Sequence, residues 1–194
     1  MRVLVVYSHP VPESFCASLR DVVVATLKRN GHEVRLIDLY AEGFDPVMHA
    51  DERRVYNELK ADENPMPEQA EHLKWAQAMV FVYPTWWYGL PAMLKGWFDR
   101  VWTPNLTFTM PTGGPIRPIM THVRKVAVVT TCGAPRWWSY LVGHPGKRTI
   151  LRGVRALFAP RCKRLFLAHY MMDHSTPQSR AAFLARVERA FDKF

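Results

Sequence analysis

Residues 79–102 read MVFVYPTWWYGLPAMLKGWFDRVW and hold a strand, a turn and a helix in succession. Met79–Tyr83 is a short apolar run rich in Val, Phe and Tyr, the pattern of a strand covered on both faces. Pro84 is expected to end its ladder, because proline brings no amide donor and restricts the residue before it. Thr85-Trp86-Trp87-Tyr88-Gly89 then makes a tight turn at the carboxyl end of that strand. Pro91 restarts the chain as a helix, with Leu94, Trp97, Phe98 and Val101 at helical spacing down one face. Trp97 and Phe98 are expected in the core. Trp86, Trp87 and Tyr88 have no room inside a sheet and stand where open α/β sheets bind their ligands, beyond the strand ends. They are expected to wall a flat ligand.

Upstream, Arg2–Tyr7 reads as a buried first strand, and Pro10 and Pro12 keep the loop after it extended. Ser14 is a good N-cap for a helix that carries Ala17, Leu19, Val22, Val23 and Leu27 and stops at Asn30-Gly31. A helix N-terminus reached through Ser8, His9 and Ser14 suits a phosphate, since free amides and the helix dipole favour an anion there. His9 reads equally well as a hydrogen-bonded loop histidine. The chain has no GxGxxG, so the dinucleotide fingerprint of the NAD type is absent.

His32–Asp38 alternates polar and apolar and reads as a less buried strand. Helices are expected around Asp51–Leu59 and Glu68–Gln77. Thr103–Thr121, with Thr112-Gly113-Gly114-Pro115, reads as a long functional loop, a pocket lip or a dimer contact. Lys125–Thr131 is a fourth strand that runs into Cys132-Gly133, where threonine hydroxyls and turn amides suit the edge of a planar heterocycle. Residues 136–147 read as an aromatic, titratable loop and Thr149–Phe158 as a basic helix. Arg164–His169 is a fifth strand. Pro177 opens a terminal helix with Phe183, Leu184, Val187 and Phe191 inward.

Five strands alternating with helices predict an α/β fold, a doubly wound five-stranded parallel sheet in the flavodoxin-like order 2-1-3-4-5. In that order strands 1, 3 and 4 are neighbours, so the loops Ser8–Phe15, Pro84–Gly89 and Thr130–Gly133 meet at one end. One suits a phosphate, one supplies an aromatic wall and one offers hydrogen bonds. A flavin needs that combination.

Composition bounds the alternatives. A chain of 194 residues, 48% hydrophobic, is expected to form one domain over residues 1–194. No apolar run reaches the ~18 residues of a membrane span, and the chain opens on a strand instead of a leader, so a cytoplasmic location is expected. Cys16, Cys132 and Cys162 lie far apart without CxxC spacing, which argues against a disulfide framework or a metal site. Residues 1–100 carry 11 Lys/Arg against 14 Asp/Glu, whereas residues 101–194 carry 15 against 3. A basic half favours an anionic partner such as a phosphorylated cofactor. No nucleic-acid motif accompanies the charge, and no nucleic-acid partner is expected.

Three stretches, VVYSHPVPESF (Val5–Phe15), YPTWWYGLPAMLKGWFDRV (Tyr83–Val101) and VVTTCGAP (Val128–Pro135), together with Asp38-Leu39-Tyr40, Phe44 and Pro46, carry a resemblance. The chain resembles the flavodoxin-like NAD(P)H:quinone oxidoreductases, the DT-diaphorase family with the modulators of drug activity. The resemblance implies FAD (or FMN) as cofactor, NADPH or NADH as co-substrate, a quinone-like acceptor and a homodimer. It implies that His9, Ser14, Phe15 and Cys16 hold the phosphate region, Pro84, Thr85, Trp86, Trp87 and Tyr88 line the isoalloxazine, and Thr130, Thr131, Cys132 and Gly133 bond its far edge. Tyr140 and His144 are the catalytic candidates beside the substrate, although Trp138 matches the tyrosine position by direct counting. Cys16 stands where the family often has Asn, and Cys132 replaces the first Gly of a Thr-Thr-Gly-Gly turn. The implied reaction is two-electron, ping-pong transfer from NAD(P)H through flavin N5 to a quinone. Azo or nitro reduction, or service as a flavin-loaded regulatory subunit of a potassium-efflux system, are the alternatives.

Overall fold

The computed structural model describes residues 1–60, 62–111 and 114–194. Thr112 and Gly113 of the long loop lie outside the described residues. Five parallel strands, β1 (Arg2–Tyr7), β2 (Glu33–Asp38), β3 (Ala78–Thr85), β4 (Lys125–Cys132) and β5 (Lys163–His169), form one sheet in the order β2-β1-β3-β4-β5. The helices are α1 (Phe15–Arg29), α2 (Ala50–Val55), α3 (Pro67–Trp75), α4 (Ala92–Val101), α5 (Arg136–Leu141), α6 (Pro145–Arg148) and α7 (Pro177–Phe191).

Alternation along the inner strands divides the core in two. Val3, Val5, Val80, Val82, Ala127 and Val129 face α1 and α7, where Leu19, Val23, Phe183, Val187 and Phe191 are buried. Leu4, Val6, Met79, Phe81, Val126 and Val128 face the other way, onto Leu73 of α3, Leu94 and Trp97 of α4, and Ile150. Both faces are covered, so the middles of these strands, residues 3–7, 78–83 and 126–129, are apolar without interruption. Trp97 and Phe98 are in the core as their spacing predicts, and Trp97 Nε1 donates to Gln69 Oε1 at 2.9 Å.

Two local expectations need correction. Pro84 does not end the ladder: β3 runs to Thr85, with Pro84 opposite Thr131 and Thr85 opposite Cys132. Backbone groups of successive residues point to opposite neighbours, so Val82 and Pro84 share a side, and Val82 O accepts from Ser8 N at 3.1 Å on the β1 side. Pro84 therefore turns its missing donor toward β1, which has already ended at Tyr7. Residues 136–147 are also not a loop. Pro135 precedes α5, and Gly143 (φ 88°) and His144 (φ 48°) reverse the chain into α6. The basic helix accordingly begins at Pro145. It continues as a π-turn over Thr149–Gly153 and a 3₁₀ turn over Val154–Leu157.

Candidate active site

The first loop delivers an anion-accepting helix end. Ser14 Oγ caps α1 by accepting from Ala17 N at 3.2 Å, and the same oxygen lies 3.2 Å from Tyr7 Oη. That leaves the amides of Phe15 and Cys16 free of intrahelical partners, and the first turn of α1 contains no acidic residue to occupy them. Ser8 Oγ is buried and, among the described residues, has no hydrogen-bond partner. His9 is half-buried, and burial pushes its pKa below the ordinary imidazole value. Its Nδ1 accepts from Val11 N at 3.0 Å, which leaves Nε2–H as a donor facing outward. Phe15 packs edge-on against His169, 5.5 Å between ring centroids.

The second loop is strained. Trp87 (φ 50°) and Tyr88 (φ 62°) are both in the left-handed region, and Gly89 N donates to Trp86 O at 2.9 Å. Positive φ at both central positions is a type I′ turn, which glycine or asparagine would normally occupy. Two bulky aromatics there cost about 1–2 kcal/mol each, which the surroundings must offset. Trp138 Nε1 donates to Tyr88 Oη at 2.7 Å, and Gly146 N donates to Tyr88 O at 3.1 Å. Gly146 lies so close that an added Cβ would stand 3.2 Å from the carbonyl carbon of Gly89 and 3.3 Å from Tyr83 Oη. The turn thus holds Trp87 96% exposed and Trp86 42% exposed.

At the end of β4 the polar side chains form a chain of bonds. Cys132 Sγ donates to Thr85 Oγ1 at 3.4 Å, Thr85 and Thr130 hydroxyls lie 2.8 Å apart, and Thr130 Oγ1 donates to Thr131 O at 3.3 Å. The protons of Thr85 and Thr130 are spent within this chain, and the backbone amides of the Cys132-Gly133 turn are left for an outside group. Thr131 Oγ1 lies 3.5 Å from Cys16 Sγ, so this turn is tied to the start of α1. Burial raises both thiols, Cys16 to about 11 and Cys132 in the same direction, so neither is a thiolate nucleophile at neutral pH. His9 and Trp86, 6.2 Å between ring centroids, join the first and second loops. All three loops therefore meet.

The region after β4 separates the two residues that compete for the tyrosine position, Trp138 and Tyr140, and keeps Tyr140 and His144 together. Trp138 and Tyr140, two residues apart on α5, point to different sides: Trp138 reaches Tyr88, while Tyr140 is 79% exposed and lines a neighbouring cleft. His144 lines that cleft as well, and its Nε2 lies 3.3 Å from Tyr170 Oη. Burial first, then the charges of Lys147, Arg148 and Arg136, lower the His144 pKa, so the ring is neutral at pH 7.

Tyr170 and Asp173, just past β5, were not anticipated. Asp173 Oδ2 would lie 3.0 Å from a Cβ at Gly133, and Met171 N donates to Ala134 O at 3.4 Å. The available signal was topological: in a parallel sheet the end of every strand faces the same side, so residues 170–174 had to border the site.

Comparison with known proteins places this arrangement in context. NAD(P)H dehydrogenase [quinone] 1 of Cavia porcellus is 28% identical over 99% of this chain and 78% of its own length. Ribosyldihydronicotinamide dehydrogenase-like protein traD of Penicillium crustosum is 37% identical over 53% of this chain and 44% of its own. For several such curated relatives the matched region is about half of their length. Among solved structures, the NAD(P)H:quinone oxidoreductase from Methanothermobacter marburgensis superposes with a TM-score of 0.83 at 26% identity, covering 100% of this chain and 96% of that one. The family described as Flavodoxin-like fold (Flavodoxin_2) matches residues 1–191, and the chain belongs to that family.

Proposed function

We propose that residues 1–194 form one flavin-binding domain that oxidises NAD(P)H and reduces a quinone or similar planar acceptor. The observation that carries this reading is the meeting of an orphaned Ser8 hydroxyl, a free helix N-terminus and a strained, solvent-facing aromatic turn at one end of the sheet. The names of the relatives support the donor and acceptor classes.

The residues fit a flavin. Its phosphate is held by the Phe15 and Cys16 amides, the hydroxyls of Ser8 and Ser14 and the Nε2–H of His9. Trp86, Trp87 and Tyr88 flank the ring system, and the amides of the Cys132-Gly133 turn bond its polar edge, with Thr130 bonded to Thr85 and Thr131 to Cys16 behind them. When bound, the flavin supplies a two-electron carrier between a nicotinamide and a quinone. The chain's own groups bind, orient and tune: Trp87 and Trp138 offer faces on which a planar reactant stacks. His144, neutral at rest, takes up a proton when negative charge develops beside it, with Tyr170 holding its ring and Tyr140 at the rim. FAD is the preferred cofactor and FMN the alternative.

Trp87, Trp137, Tyr140 and Leu141 are exposed apolar side chains of the aromatic turn and α5, which supports a homodimer. Three buried free thiols suit the reducing cytoplasm, and no helix among the described residues is long and apolar enough to cross a membrane. The test is an absorbance spectrum of the purified protein, with the released chromophore identified by chromatography. Bands near ~370 and ~450 nm that bleach with anaerobic NADPH and return with a quinone support the reading. A colourless protein that takes up neither FAD nor FMN overturns it.

A further inference from the structure

Beside the aromatic turn, at the β5 edge of the sheet, lies a cleft of about 830 Å³. Arg164, Phe166 and Ala168, alternate residues of β5, line it together with α5, the helical segment from Pro145, and Arg186 of α7, which packs on the other face of the sheet. Six cations line it: Arg136, Lys147, Arg148, Arg152, Arg164 and Arg186. Among the described residues, no carboxylate does.

Some arginines elsewhere are matched. Arg20 pairs with Asp21 and Asp38, Arg29 with Glu188 and Asp192, and Arg100 with Glu52 and Asp45. Among the described residues, none of the six cleft cations has an ion pair. Other arginines, Arg35, Arg124 and Arg180 among them, also lack one among the described residues; what sets the six apart is that they share one cleft. Gathering like charges without counter-charges raises a focused positive potential, which a bound anion would relieve. Burial first, then the charges of Lys147, Arg148 and Arg136, hold the His144 pKa below its ordinary value.

Five of the six cations are guanidinium groups, whose planar fork matches phosphate oxygens two at a time. The volume is that of a small-molecule site, which suits a compact ligand better than a polymer. We infer that this cleft binds the phosphate groups of a compact polyanion carrying at least two of them. Because α6 lends Lys147 and Arg148 to this cleft and also bonds the aromatic turn through Gly146 N and Tyr88 O, the anion is the charged tail of a reactant. That last step rests on the function proposed above. The tail belongs either to the dinucleotide donor or to a phosphorylated or sulfonated acceptor, two sources of one chemistry.

The probe is inorganic pyrophosphate, titrated by calorimetry into the protein as purified at about 0.15 M and about 0.5 M salt. Wild type is expected to bind one equivalent, more weakly at high salt. Arg164→Ser/Arg186→Ser should weaken binding about tenfold or more, Arg164→Lys/Arg186→Lys by less, and Ser14→Ala by less than about twofold. The lysine pair controls for misfolding, since it keeps the charge and loses only the fork. Absence of binding, loss in Ser14→Ala with retention in the serine pair, or an oligonucleotide that binds tighter than pyrophosphate overturns the site.

Turnover then identifies the source. A rise of about fivefold in KM for NADPH with the serine pair, without one for NADH, identifies the donor's phosphate. A similar rise for a sulfonated quinone, without one for its uncharged counterpart, identifies an anionic acceptor. No change in either overturns the link to the reaction. Pyrophosphate binding needs no flavin, so a colourless protein that still binds it would sink the proposed function and leave the anion site standing.

Discussion

Trp86-Trp87-Tyr88 and Trp97-Phe98-Trp102 are two aromatic groups about ten residues apart with opposite fates. The second group is in and just beyond α4, with Trp97 0% exposed and its ring 5.3 Å from Phe98 and 5.9 Å from Trp102 between centroids. The first stands at a strand end in left-handed backbone, and Trp87 is 96% exposed. The residue types are the same, and the difference lies in the backbone that presents them. A helix stripe turns its aromatics into the sheet and gains buried area. A type I′ turn of bulky residues loses conformational energy and gains no burial for Trp87, so its persistence points to a ligand.

The contrast can be broken most sharply in the core. Trp97→Ala should cost about 3–5 kcal/mol in urea unfolding, since it empties a fully packed position. Gly146→Ala acts on the turn from below. Contact with Gly89 and Tyr83 costs about 1–3 kcal/mol, while the gain in helix propensity is about 1 kcal/mol, so a net loss of about 1 kcal/mol is expected, with weaker flavin binding. Tyr88→Phe removes only the oxygen that accepts from Trp138 and should cost about 0.5 kcal/mol, read as a small drop in melting temperature with altered tryptophan fluorescence.

The smallest effect is a pH slope. His144 is packed among Lys147 and Arg148 of α6, Arg136 of α5, Phe166 of β5 and Tyr170, and its folded pKa lies below the ordinary value of 6.5. Below 6.5 the unfolded chain binds this proton more readily than the folded one, so stability is full above that pH and falls on acidification toward the folded pKa. His144→Asn should flatten melting temperature against pH in the window below 6.5, after correction for the other shifted histidines.

Much of this was legible because it is local. Apolar runs gave β1, β3 and β4, Ser14 gave the start of α1, and the Trp-Trp-Tyr turn stood out because its residues contradict turn chemistry. What was hidden depends on neighbours distant in sequence. Whether Pro84 stops a strand depends on where β1 ends. The α5 helix was masked by its aromatics, of which Trp138 reaches Tyr88 while Trp137 and Tyr140 stand exposed instead of packing inward. The basic cleft draws its cations from α5, α6, β5 and α7, and no window of sequence contains them together. Charge counts gave the basic half of the chain but not its concentration on one surface.

The most direct test of the contrast is a flavin titration of Trp86→Ala/Trp87→Ala, followed by fluorescence, with an unfolding curve on the same samples. The account predicts a Kd about tenfold or more above wild type, a loss of about 1.4 kcal/mol or more in stacking, with unfolding free energy within about 0.5 kcal/mol of wild type. An unchanged Kd, or affinity and stability falling together, would contradict it.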